Sequence, residues 1–167
     1  MSLATYDPSS VVIYLADVIL VEDVMDGTFI QITKDTQTFT STTSTDGQVY
    51  RKRNSNDNYT VSITLSSTSK TSRILQYFLI ADVTTSVAKF PLFIKNTGGS
   101  TLFHATTCWI ENQPDVVFSQ QVVPMVWTIK ATGCTLVYGD NYGASSILGD
   151  IVGSLVSALP SLQGLIT

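Results

Sequence analysis

The residues that could do chemistry are few, and their spacing does not bring them together. His104 is the only histidine. Zinc needs His and Cys ligands grouped at short spacings, and a lone histidine in a strand-like run has no such partner. Cys108 and Cys134 lack metal spacing as well. They read as two buried thiols acting as small apolar groups, although two neighbouring strands would also allow a disulfide. Asp17, Glu22, Asp23 and Asp26 gather near one turn. Their spacing matches no EF-hand loop, so a solvated acidic turn is the better reading. There is no GxSxG, P-loop or GxGxxG pattern. Asn58-Tyr59-Thr60 fits the glycosylation tripeptide but carries meaning only in a secreted protein. Three consecutive cations, Arg51-Lys52-Arg53, give little affinity for nucleic acid at physiological salt. An ionic contact with an acidic patch of another subunit suits them better. These residues predict a chain that is not an enzyme, with no catalytic residues, no cofactor and no metal.

The elements that would position such residues are mostly strands. The chain has 167 residues, a net charge of -4 and only 13% charged residues. That length fits one domain with a proper core. Low charge combined with abundant Ser, Thr and Val suits a β-rich protein with large contact surfaces, and it is not a disorder composition. A mildly acidic balance excludes a general nucleic-acid clamp. Residues 1–7 show neither the basic nor the apolar region of a secretory signal. No apolar run is long enough for a transmembrane helix. The expectation is a product that stays in the cytoplasm where it is made.

The central stretch is Asp26 to Val83. Asp26-Gly27 opens a strand from Thr28 to Thr33. Thr36 to Asn58 then forms a long hairpin around Asp46-Gly47, the dipeptide of a type I′ turn. Val49 and Tyr50 are its only bulky apolar residues after the turn, so it cannot bury a face against its own core. Such a hairpin either moves freely or lies on another subunit. Tyr59 to Ser66 alternates cleanly, with Tyr59, Val61, Ile63 and Leu65 on one face and Thr60, Ser62, Thr64 and Ser66 on the other. Ser67 to Ser72 offers N-caps for a core helix from Thr71 to Val83, which shows one apolar stripe.

Around this stretch, Val11–Leu15 and Val18–Val21 read as one bent strand or a pair. Ala88–Lys95 is a strand with Pro91 at an edge or bulge. Thr101–Glu111 and Met125–Tyr138 are further strands, the last with a bulge at Gly133. Residues 144–159 place Ile147, Ile151 and Leu155 at helical spacing, with Pro160 as the stop. This amphipathic helix must bury its stripe on its own sheet or on a neighbouring subunit, and both remain open. The predicted fold is mainly β: an antiparallel β-sandwich or barrel with one packed α-helix, a long protruding hairpin and a C-terminal amphipathic helix. Its division is a β-sandwich domain over 1–143 and a helical extension over 144–167.

The ordered set Asp26-Gly27-Thr28-Phe29, Thr45-Asp46-Gly47-Gln48-Val49, Arg51-Lys52-Arg53-Asn54, Val61-Ser62-Ile63-Thr64-Leu65, Trp109-Ile110-Glu111, Pro114-Asp115-Val116 and Trp127-Thr128-Ile129 resembles the tail tube proteins of contractile-tailed bacteriophages. The resemblance spans residues 6–142. Each motif is weak alone; their order and spacing carry the match. It implies hexameric rings stacked into a hollow tube inside a contractile sheath, joining capsid to baseplate and delivering the genome. It also implies a location in the virion tail after assembly in the host bacterial cytoplasm. The implied partners are further copies of the chain, the tail sheath, the baseplate and the tail terminator, with DNA crossing the lumen unbound and no membrane insertion. On that reading Asp46, Gly47, Val49, Tyr50, Arg51, Lys52 and Arg53 form the inter-ring stacking loop. Thr60, Ser62 and Thr64 are candidates for the lumen face, with Thr128, Lys130 and Thr132 as another. The resemblance carries no role for the helix of residues 144–167; its own apolar spacing makes Ile147, Ile151 and Leu155 candidates for an inter-subunit helix. A tube subunit of a pyocin-like or secretion-type injector fits the same pattern. A monomeric carbohydrate-binding sandwich is the alternative, with Tyr50, Tyr59 or Trp109 at its ligand face.

Overall fold

The computed structural model describes residues 4–141, so the predicted C-terminal helix with Ile147, Ile151 and Leu155 lies outside the described residues. The fold is mainly β and antiparallel. Its strands are β1 (Val11–Leu15), β2 (Ile19–Leu20), β3 (Ile30–Lys34), β4 (Phe39–Thr43), β5 (Val49–Arg53), β6 (Tyr59–Ser66), β7 (Phe90–Asn96), β8 (Leu102–Asn112) and β9 (Pro124–Val137), with helix α1 (Lys70–Thr85) between β6 and β7. Seven strands form one sheet in the order β2-β1-β7-β8-β9-β6-β3, and β4 and β5 pair separately. Val11–Leu15 and its successor are thus a pair of strands rather than one bent strand.

The sheet closes on itself through a short piece of chain. After β2, Val21 donates to Ile13, Val24 bridges to Leu65, and Met25 donates to Thr64. The same segment therefore touches β1 at one end of the sheet and β6 at the other, giving a sandwich-like body. One face of every long strand supplies the core: Ile13 and Leu15, Leu92 and Ile94, Phe103 and Ala105, Trp127 and Ile129, Val61, Ile63 and Leu65 are all buried. The period-two alternation read in β6 is the physical reason: one parity of side chains leaves water completely.

Helix α1 caps this core. Ser69 is its N-cap, its hydroxyl accepting from the Thr71 amide at 3.2 Å. The inner side anchors through buried Leu75 and through Phe78, whose ring lies 4.7 Å from that of Phe90. Burying a Leu of this kind stabilises by about 2 kcal/mol. The Trp127 indole N–H donates to the Ser72 hydroxyl at 3.3 Å, giving its polar end a partner. The helix ends at Ser86, which takes the left-handed conformation at φ 59°.

Several local expectations need correction. The third strand begins at Ile30, two residues later than expected, because Gly27 at φ 91° and the segment after it turn the chain first. Asp46-Gly47 does not form a type I′ turn, which needs positive φ at both residues. Only Gly47 is positive, at 84°; its amide donates to Ser44 and the Ser44 amide donates to Gln48. This is a three-residue loop with glycine in the left-handed position. Pro91 does sit at a register shift, but β7 is an interior strand between β1 and β8. Gly133 has φ 62°, yet the β8–β9 register runs unbroken past it; the shift lies between Ile110 and Asn112. A side chain at Gly133 would collide with Thr106. The inward parity changes in both strands at this point, from Phe103 and Ala105 to Cys108 in β8, and from Ala131 to Cys134 in β9. Finally, α1 carries two apolar stripes, not one: Tyr77, Ile80 and Val83 face outward.

Candidate assembly surfaces

The hairpin of β4 and β5 is a two-stranded sheet in which every residue is exposed. Its register pairs Phe39 with Arg53 and Thr43 with Val49. Two strands without a buried face are marginal in isolation. Here the root is tied firmly. Lys34 reaches Asp57 at 3.0 Å and the Thr38 hydroxyl at 2.9 Å. Asn54 donates to the Gln37 carbonyl at 2.6 Å and the Asp35 amide donates to Asn58 at 3.1 Å. The arm is thus clamped at its base and open along its length. Arg51 stacks 4.3 Å from the Phe39 ring, and among the described residues Arg51, Lys52 and Arg53 form no ion pair. At the tip, hydrogen bonds from Ser44 and then Gln48 hold the Asp46 carboxyl below its ordinary range.

The structure places the two groups of hydroxylated residues on one continuous face. Thr60 lies opposite Lys130, Ser62 opposite Thr128 and Thr64 opposite Val126. Thr128, Lys130 and Thr132 are therefore not a separate face from Thr60, Ser62 and Thr64. Lys130 is not a free cation either. Its ammonium lies 2.8 Å from Asp35 and donates to the Thr60 hydroxyl at 3.1 Å, and Thr60 donates to Asp35 at 2.6 Å. Further across the same side of the sheet the character changes: Tyr14, Phe93 and His104 stack at centroid separations of 6.3 Å each.

The remaining chemistry-bearing residues stay dispersed. Cys108 and Cys134 are free thiols. Burial first, then the neighbouring thiol, pushes Cys108 up to about 12; burial pushes Cys134 up to about 11. Among the described residues no three His, Cys, Asp or Glu side chains come together as a metal site. The aromatics of the carbohydrate reading do not share a face. Tyr50 is on the exposed arm, Tyr59 packs edge-on against Phe103 at 5.6 Å, and Trp109 borders a shallow cleft of about 370 Å³ with Asp82, Ser86 and Lys89. Two surfaces escaped sequence reasoning. One is the outer stripe of α1. The other is the loop between β8 and β9, which displays Val116, Val117 and Phe118 to solvent; an apolar triplet directly after the Asn112–Asp115 break was the available signal. No helix among the described residues is long and apolar enough to cross a membrane.

No family model matches the chain, and no curated protein matches it in sequence. Its fold is similar to solved structures. One is the tube-terminating cap of the anti-feeding prophage, with a TM-score of 0.58 and 11% identity over 82% of this chain and 93% of that one. Another is the sheath/tube terminator of an extracellular contractile injection system, PVC, in the extended state, with a TM-score of 0.50 and 7% identity over 80% of this chain and 97% of that one. At such identities the likeness is one of fold.

Proposed function

We propose that this chain is a non-enzymatic structural subunit of a contractile tail, and that its copies close into rings, hexameric in the tube family it resembles, which stack around a channel for DNA. The observation that carries this reading is the arm of β4 and β5. It is clamped at its root, exposed at every residue and basic along β5, a form that makes sense when another molecule covers it. In the ring, Asp46 to Arg53 reach the adjacent ring, and the hydroxylated face of Thr60, Ser62 and Thr64 lines the lumen. With Lys130 neutralised by Asp35, that face offers phosphates little to hold. Ring closure also covers the open edge of β3. Sheath, baseplate and terminator are the further partners on this reading, and the virion tail is its location.

A second reading is a ring that ends the tube instead of filling it, in a phage or a related injector. The observation favouring it is that the two similar structures named above are described as a tube-terminating cap and a sheath/tube terminator. Negative-stain electron microscopy of the purified protein tests both. Stacked tubes are expected for a tube subunit. Single rings that bind only the ends of added tubes are expected for a terminator. Dispersed monomers that ignore added tubes would overturn the tail reading.

A further inference from the structure

We infer that the cleft at the C-terminal end of α1 receives the guanidinium of Arg51 from the arm of a second copy of this chain. The inference rests on reading the arm as a self-association element, and it names the surface that the arm meets. The cleft, of about 370 Å³, is bordered by Asp82, Ser86, Lys89 and Trp109. That is the small end of the range for ligand pockets, about 300–1,000 Å³, and it suits one inserted side chain. Three features favour a cation there. Oδ1 of Asp82 is shielded from water and accepts no hydrogen bond, which leaves the carboxylate short of a donor at a cost in free energy. The residue itself is only partly buried, and the broad terminal torsion of an aspartate lets either oxygen turn to the cleft. Helix α1 ends here at Thr85 with no basic residue in its last turn, so no helical side chain offsets the negative end of its dipole. The indole of Trp109 is partly exposed, and indole is the side-chain ring that binds cations best.

Arg51 is the cation that fits. Among the described residues Arg51, Lys52 and Arg53 form no ion pair, and Arg51 stands nearer the tip of the arm than Arg53. A guanidinium can stack on an indole and pair with a carboxylate through two N–H groups, which the ammonium of Lys52 cannot do. Arg51 already lies over a ring, that of Phe39 at 4.3 Å. Docking exchanges this exposed contact for one with Trp109. Lys89 borders the same cleft, but it forms no ion pair with Asp82, and it is exposed enough to turn into water. Other acceptors fit less well. The cleft of about 220 Å³ beside Val116, Val117 and Phe118 has no charged residue in its lining. The acidic turn of Asp17, Glu22, Asp23 and Asp26 is exposed at all four positions, where an ion pair contributes little. Arm and cleft are different surfaces, so the contact is heterologous and passes from copy to copy.

The test is a charge exchange in the full chain, read as the Kd of self-association by sedimentation velocity. Asp82→Arg and Arg51→Asp should each weaken association about tenfold or more. A chain carrying both should regain most of the loss, because each arm then brings a carboxylate to a guanidinium. Asp82→Asn is the milder companion. It should weaken association while the melting midpoint stays within a few degrees of wild type; a lowered midpoint with unchanged association would make Asp82 structural and overturn the inference. Association that survives both substitutions at Asp82, or a combined variant no better than the single ones, overturns the cleft. If removal of Asp46 to Asn54 still abolishes association in that case, the arm reading stands without it. Loss of association on reversing the four acids of the turn, with Asp82 dispensable, gives the arm to the turn and overturns the cleft. A wild-type chain that stays monomeric at every concentration overturns arm and cleft together.

Discussion

At Asp35, partial burial works against the charge, while hydrogen bonds from Lys130 and Thr60 and the Lys130 charge work for it. The balance holds the carboxyl below its ordinary value of 3.8. In the unfolded chain the group takes up its proton first as the pH falls, so its contribution is fully present above about pH 4 and is lost on descending through the lower folded value. Asp35→Asn should therefore destabilise the protein near neutrality by about 1–2 kcal/mol, a charge-assisted contact discounted for partial exposure. The gap between wild type and variant should narrow only below about pH 4. Thermal melts across this range check it; a gap that is flat into strong acid would remove the ion pair as its source. None of this was visible in the sequence. The partner of Lys130 lies far away along the chain, and only the β6–β9 and β3–β6 registers together bring Thr60 and Asp35 to it.

Elements were legible in proportion to how strongly one face is buried. In β6 the alternation survives intact because Val61, Ile63 and Leu65 are fully enclosed. In α1 the stripe holding Leu75, Phe78 and Leu79 does face the core, but the outer one of Tyr77, Ile80 and Val83 went unread, because one apolar stripe at helical spacing was enough to account for a packed helix. The hairpin was found from its lack of apolar residues, yet its turn was misassigned. Asp-Gly serves both a two-residue loop and a three-residue loop, and the choice depends on where the flanking strands pair. Because β5 displays Arg51, Lys52 and Arg53 with no ion pair among the described residues, and the Arg51–Phe39 stack is itself exposed, their reversal to acidic residues should leave the thermal midpoint within a few degrees of wild type. The same change should weaken assembly, most at low ionic strength. Sedimentation across a salt series measures this. Assembly equal to wild type at every salt concentration would remove the ionic role of the arm.

At the scale of the whole molecule, topology separates what is local from what is remote. The β4–β5 hairpin joins neighbours in sequence, whereas β1 pairs with β7 and β6 with β9 over long separations along the chain. Hairpins form in about 1–10 μs, while sheets built from distant strands fold in milliseconds to seconds. A chain lacking Asp46 to Asn54 should therefore refold at the rate of the full chain and with unchanged stability, while losing the capacity to stack. Stopped-flow refolding beside electron microscopy would show whether the two properties come apart; a markedly slower phase in the shortened chain would make the arm part of the folding nucleus. The stitch from β2 to Val24 has a consequence of its own. The near half of that segment can lie on β1 at once, but Val24 and Met25 have no partner until β6 exists, and β6 has only one strand neighbour until β9 is made. During synthesis the chain therefore passes through a period in which β6 offers an unpaired edge beside a basic arm able to meet other copies. Productive self-association depends on timing: the body must finish before its arms find each other.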